Sequence, residues 1–193
     1  MPRLLPALAA ALFAVAALSG PAEAETSELD FAADRYLAGS DIEVDTPTEG
    51  DLFAASEDLE LEGPVTGATH LAARRLTIDA DTGTLYAFAY EIDLEAMVAG
   101  AASLFAAEVA LDVEIGGNLR LFARDADVRG ALNGSALIAA RDLSLDAPVA
   151  GDLMLAVESV EFGDDATVAG QVIVYVEDGE EPVEIPARVA DPD

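Results

Sequence analysis

Glycine recurs in this chain at positions 50, 67, 83, 100, 117, 134, 151 and 170, at spacings of 17, 16, 17, 17, 17, 17 and 19 residues. A period of this length marks a stacked repeat, in which each unit buries its apolar side only against its neighbours. Laid over one another, the blocks share more than glycine. The ninth position reads Leu59, Leu76, Ile92, Val109, Ala126, Leu143 and Val160, and the eleventh reads Leu61, Ile78, Leu94, Leu111, Val128, Leu145 and Phe162. Glu60, Thr77, Asp93, Ala110, Asp127, Ser144 and Glu161 stand between them. Apolar-polar-apolar with a period of two is a strand with one face buried. The fourth position is apolar as well, from Ala54 and Leu71 to Ile138 and Leu155, the sixth is nearly all Ala, and Val65, Val98, Ile115, Leu132, Val149 and Val168 recur near the block ends. Polar pairs such as Arg74-Arg75, Arg124-Asp125 and Arg141-Asp142 read as one corner. The glycine reads as a second corner, where a positive φ would cost little, and Asn133-Gly134 is especially turn-prone.

A helical repeat would need apolar residues every 3.6 positions and would not carry a glycine in every block. Seventeen residues suffice to wind once around a hollow triangle, and stacking such coils makes parallel strands ~4.8 Å apart. The expected fold is therefore all-β: a parallel β-helix with about 17 residues per coil, a roughly triangular section, seven to eight coils and a length of ~38 Å. A right-handed winding is the default for parallel crossovers. The β-helix domain spans 50–176. Residues 25–49 read as an N-terminal capping segment or a degraded first coil, with Tyr36-Leu37-Ala38-Gly39 and Ile42-Glu43-Val44 echoing the repeat. Residues 177–193 read as an acidic tail in which Pro182, Pro186 and Pro192 stop regular structure.

Residues 1–24 have the pattern of an export signal. Arg3 supplies a positive n-region, Leu4–Leu18 is an apolar stretch too short for a ~20-residue membrane span, and Ser19-Gly20-Pro21 breaks it. Ala22-Glu23-Ala24 before Glu25 is a small-x-small cleavage pattern, so the expected cleavage residues are Ala22, Ala24 and Glu25. An uncleaved anchor is the alternative. On the cleaved reading the protein works in the periplasm, outside the cell or at the cell envelope, with no transmembrane segment in the mature chain.

Charge narrows the partners. The chain has 38 Asp and Glu against 9 basic residues, all of them Arg, for a net charge of −29. Removing residues 1–24 takes away one Arg and one Glu and leaves that charge unchanged. A polyanion of this kind excludes nucleic acid and anionic lipid as partners held by bulk electrostatics. With no Cys and the single His70, neither thiolate chemistry nor a multi-His zinc site is on offer. No residue is nominated as catalytic, cofactor-binding or metal-binding. Acid pairs are too common to single one out, and the missing Lys and the lack of long insertions that could wall a cleft argue against an enzyme. His70, in the outward third position, reads as a surface residue rather than a general base.

The phrase Gly50-Asp51-Leu52-Phe53-Ala54-Ala55, followed by Leu59-Glu60-Leu61-Glu62-Gly63-Pro64-Val65-Thr66-Gly67, resembles the repeat unit of bactofilins and their exported relatives, as does Gly151-Asp152-Leu153-Met154-Leu155-Ala156. The resemblance covers roughly residues 50–176. It implies a right-handed triangular β-helix that polymerises end to end without nucleotide as a bacterial scaffold, and it supplies no catalytic residues. Typical bactofilins are cytoplasmic, whereas this chain starts with an export signal, and its repeat is more Ala-rich and acidic.

Three surface features remain. Phe88, Phe105 and Phe122 share the fifth position of three consecutive blocks, with Tyr86 and Tyr90 beside the first. If the fourth and sixth positions point inward, the fifth points out, and Tyr86, Phe88, Phe105 and Phe122, with Phe53, Leu137 and Met154, form an exposed strip for a partner. The competing expectation, a bulge that turns the rings into the core or an N-terminal segment that covers them, is the one favoured from sequence. Glu62, Asp79, Glu95, Asp112 and Asp146 form an acidic ladder whose neighbours repel by roughly 0.9 kcal/mol in water. It is read as a solvated surface rather than a Ca²⁺ site, for want of any recognised Ca²⁺ spacing. Open β-helix ends invite stacking of copies unless terminal segments close them. The expected function is a non-enzymatic scaffold of the cell envelope that forms a homo-oligomer or homo-polymer, with no cofactor. A monomeric module that binds polysaccharide or an envelope protein is the alternative, and a carbohydrate-active enzyme the remote third.

Overall fold

The computed structural model describes residues 26–176 and 183–190. The described chain is an all-β solenoid of about eight turns, each of about 17 residues. Every coil has three sides. The first side holds β2 (Asp34–Ala38), β4 (Leu52–Ala55), β6 (Val65–Ala72), β8 (Thr82–Phe88), β10 (Ala102–Phe105) and β12 (Leu119–Phe122). The second holds β3 (Asp41–Val44), β5 (Asp58–Leu61), β7 (Arg75–Ile78), β9 (Glu91–Leu94), β11 (Glu108–Leu111) and β13 (Asp125–Val128). Higher up, β14 (Ala136–Leu145) and β16 (Leu153–Phe162) each run across both sides, and β18 (Val172–Val174) adds a last rung to the first. The third side is a column of single parallel bridges from Thr48↔Val65 to Leu132↔Val149, ending in β15 (Pro148–Val149) and β17 (Thr167–Val168).

All these pairings are parallel and in register. Leu59↔Leu76, Val109↔Ala126 and Leu111↔Val128 face each other directly, so each repeat position becomes a vertical row. Five such rows fill the interior: Leu52 to Leu153, Ala54 to Leu155, Leu59 to Leu143, Leu61 to Leu145 and Val65 to Val168 are buried. The 16-residue coil loses its residue at the corner between Val65 and Ala68, where the register shifts. The 19-residue coil carries its two extra residues between Phe162 and Thr167, because Leu145↔Phe162 is offset by 17 and Pro148↔Thr167 by 19.

The corner glycines Gly50, Gly67, Gly83, Gly100, Gly117, Gly134, Gly151 and Gly170 form one vertical edge, and the reason for them differs from the expected positive φ. None of them has a φ in the left-handed region; space is what excludes a side chain. A Cβ on Gly134 would lie 2.5 Å from the Gly117 carbonyl oxygen, and one on Gly67 would lie 2.4 Å from that of Gly50. The same close approach lets Gly67, Gly117 and Gly151 donate their N–H to the glycine carbonyl one coil below, at 3.2, 2.8 and 3.1 Å. Beside them runs a second ladder. Asp34, Asp51, Asn118, Ser135 and Asp152 each accept, on a side-chain oxygen, the backbone N–H of the residue one coil above, at 2.8–3.1 Å. These bonds satisfy corner amides that the sheet ladders do not reach.

At both ends chain from outside the regular repeat covers part of the solenoid, while β1 (Ser27–Phe31), β3 and β18 are the edges of the sheet. Below β2, β1 pairs antiparallel, after a turn at Ala32 with φ 58°. Arg35 occupies a position that is Leu in the next coil, and its guanidinium donates to Thr46 Oγ1 at 2.7 Å and Glu28 Oε1 at 2.8 Å. At the top, the segment 183–190 folds back. Val189 is buried, Ile185 packs on the core, the Val168 N–H donates to the Val189 carbonyl, and Arg188 donates to the Phe162 and Gly163 carbonyls.

Two changes test this packing. Gly134→Ala is expected to lower stability by about 1–3 kcal/mol, since the methyl meets rigid backbone. Thr48, Thr69 and Thr82 are buried with hydroxyls that lack a partner, so Thr82→Val, between Val65 and Val98, is expected to raise stability by about 1–2 kcal/mol. Urea unfolding followed by circular dichroism reads both.

Candidate functional site

Alternation along the first side sends the second and fourth repeat positions inward and the third and fifth outward. The aromatic side chains therefore stand on the surface. Phe88 is 53% exposed, Tyr86 40% and Phe122 39%, while Phe105, held between two rings, is half-buried. The expectation that a bulge or the N-terminal segment hides these rings is overturned: the ring-bearing stretches pair in register, the irregularity of β6 and β8 lies at the corner between Val65 and Ala68, and β1 extends the sheet edge instead of crossing its face.

The rings form two stacks. In the third position Tyr36, Phe53, His70 and Tyr86 stack at centroid distances of 4.9, 4.5 and 4.9 Å, within 4° of parallel. In the fifth, Phe88, Phe105 and Phe122 stack at 4.7 and 4.9 Å, within 5°. Strand spacing dictates this geometry, because like residues in register repeat every ~4.8 Å, close to a ring-stacking distance. Tyr86 and Phe88 lie on the same strand and carry the ladder from one row to the next. Phe53, Leu137 and Met154 belong to the third row, not to the phenylalanine row, and continue the surface above and below it. Tyr90 stands apart, at the corner after β8.

Sequence reasoning missed Tyr36 and His70 as members of the stack. Their separations from Phe53 and Tyr86, 17 and 16 residues, were the signal. His70 is sandwiched between two rings and half-buried, a packing role rather than that of an isolated surface residue.

Beyond aromatics, these two rows contain no acid among the described residues. The third reads Tyr36, Phe53, His70, Tyr86, Ser103, Arg120, Leu137, Met154 and Ile173, and the fifth holds only Ala, Phe and, at the level above Ala156, Tyr175. The second side is the opposite. There an open trough of about 520 Å³ is edged by Glu91, Glu108, Asp125 and Asp142 on one row and by Asp93 and Asp127 on another. Arginines offset the repulsion on some of the coils: Arg74 reaches Glu57 at 3.1 Å, Arg75 reaches Asp58 at 2.5 Å, and Arg124 bridges Glu108 and Asp125. Arg129 interrupts the acidic ladder by pairing with Asp112 at 3.0 Å and with Asp127.

These neighbours move the carboxyls in opposite directions. The hydrogen bond from Arg75 holds Asp58 below the usual carboxylate range, and that from Arg124 does the same for Asp125. Glu62, without such a partner, is raised by the charge of Glu43 first, then by partial desolvation and by Glu60, Asp79 and Asp45. No group of three or more ligating side chains among the described residues is placed to hold a metal ion. The cleavage residues Ala22, Ala24 and Glu25 lie outside the described residues. No helix among the described residues is long and apolar enough to cross a membrane. No family model, curated protein or solved structure matches the chain.

The signs give a test. A depressed carboxyl adds stability that is present above its unfolded pKa and lost as pH falls through the folded one; a raised carboxyl subtracts stability at neutral pH, and the loss is relieved as it protonates. Asp58→Asn is therefore expected to lower the melting temperature at neutral pH but not in strong acid. Glu62→Gln is expected to raise it at neutral pH, with the gain vanishing in acid and shrinking in concentrated salt. Thermal melts across pH and NaCl concentration read both.

Proposed function

We propose that this protein is a non-enzymatic structural element of the cell envelope, a rigid β-helix that scaffolds by self-association as the resemblance to bactofilins implies. The observation that carries this reading is the uninterrupted coil-on-coil stacking. The coils follow one another with no insertion longer than the two extra residues between Phe162 and Thr167, so the described surface is made of ladders and shallow, open troughs. Catalysis needs convergent groups in a site that can exclude water, and an open face of like-charged carboxylates is poorly suited to that. The expected export signal and the dense acidic surface favour an extracytoplasmic setting.

The alternative, a polysaccharide-binding module using the aromatic strip, is weakened by the ring stacking. A sugar packs on the face of a ring, and here the faces are largely occupied by neighbouring rings, leaving edges outward. Negative-stain microscopy with analytical ultracentrifugation, at moderate and at high salt, tests the reading. Assemblies larger than one chain are expected, most of all at high salt, whereas monomers under every condition would remove self-association.

A further inference from the structure

We propose that the aromatic side of the solenoid is a pairing surface for the same side of a second copy of this chain. The inference deepens the scaffold reading and rests on it for its use in the cell; the contact itself is argued from the face. That face runs the length of the solenoid. Ten strands, from β1 through β2, β4, β6, β8, β10, β12, β14 and β16 to β18, lie side by side along it. Leu29 pairs directly with Tyr36 and so extends the third row onto β1, where Leu29 and Phe31 are exposed. Met154, Ile173 and Tyr175 are exposed at the other end.

Charge selects the occupant. In a chain of net charge −29, the third and fifth rows carry Arg120 and no acid; the carboxylates of the trough lie on the second side, and those that flank the face, Asp34, Asp51 and Asp152, accept backbone N–H groups at the glycine edge. An anionic membrane is repelled by that charge, and a sugar chain finds ring edges rather than faces. A second copy brings a flat surface with the same ~4.8 Å corrugation and keeps its own acidic side outside the contact. Sheets that pack face to face in this way sit ~10 Å apart. Size agrees: ten strands at ~4.8 Å and five residues at ~3.3 Å give roughly 750 Å² per copy, or about 1,500 Å² in all, within the range of a stable specific interface. Because net charge opposes the contact and apolar burial drives it, salt should strengthen it.

Sedimentation equilibrium of the full chain, expressed and purified as the cell processes it, tests the proposal at about 0.1 M and about 1 M NaCl, where screening lengths are ~10 and ~3 Å. The wild type is expected to dimerise at least about tenfold more tightly at the higher salt. Phe105→Asp, Ala139→Glu and Arg120→Glu each put an acid on the face and are expected to be monomeric, with an unchanged circular dichroism spectrum. Ala110→Glu on the acidic side should dimerise like the wild type at high salt. Should Phe105→Asp fail to fold, the other two decide the matter, since neither removes a ring. Folded face variants that associate as the wild type does would overturn this pairing while leaving a scaffold built through another surface. A wild type that stays monomeric at both salt concentrations would overturn the pairing and the self-association of the scaffold reading together.

Discussion

The structure depends on how closely one coil can lie on the next. Parallel strands in register are ~4.8 Å apart, and at the glycine edge backbone touches backbone, with Gly67, Gly117 and Gly151 hydrogen-bonded to glycines one coil below. Any side chain there would push the coils apart. Once that distance is set, every repeat position becomes a row, and whatever a single residue does is repeated along the rod. Inward rows of Leu, Ile and Val become a continuous core. The Asp, Asn and Ser that follow the glycine become a ladder of side-chain acceptors for the amides above.

The same repetition makes the outward rows either cohesive or costly. Rings repeated at this spacing stack, as Tyr36 to Tyr86 and Phe88 to Phe122 do. Carboxylates repeated at this spacing repel, and Glu62 shows the penalty in its raised pKa. The chain responds by placing arginines one coil from acids, as with Arg75 over Asp58 and Arg129 over Asp112, and by keeping acids out of the aromatic rows altogether. A strongly acidic body with two long outward rows free of acid is the result, and the proposed association follows from that asymmetry.

The core was legible in the sequence because a period of 17 with alternation inside each block leaves few ways to bury Leu59, Leu61, Leu76 and Ile78 together. The parallel β-solenoid and its coil length follow from that pattern alone. Other features were not legible. Corner glycine suggested a positive φ, since sequence shows that a side chain is missing but not whether torsion or space removed it. The acceptor role of Asp51 and Asn118 depends on a partner 17 residues away. The orientation of the rings was open because alternation gives the face only once the corner between the fifth and ninth positions is known. Arg35, Ala32 and Val189 finish the ends in ways that follow no repeat, and the terminal segments therefore read as irregular.

The most direct test of stacking is distance along one outward row. Glu43, Ala110, Asp127, Ser144 and Glu161 occupy equivalent outward positions on successive or spaced coils. In this Cys-free chain, nitroxide labels on cysteine pairs can be read by pulsed dipolar EPR. Pairs 43/110, 43/127, 43/144 and 43/161 are expected to give distances that rise by ~4.8 Å per coil, from ~19 to ~34 Å. Distances that do not climb in equal steps with coil number would contradict the stacked register.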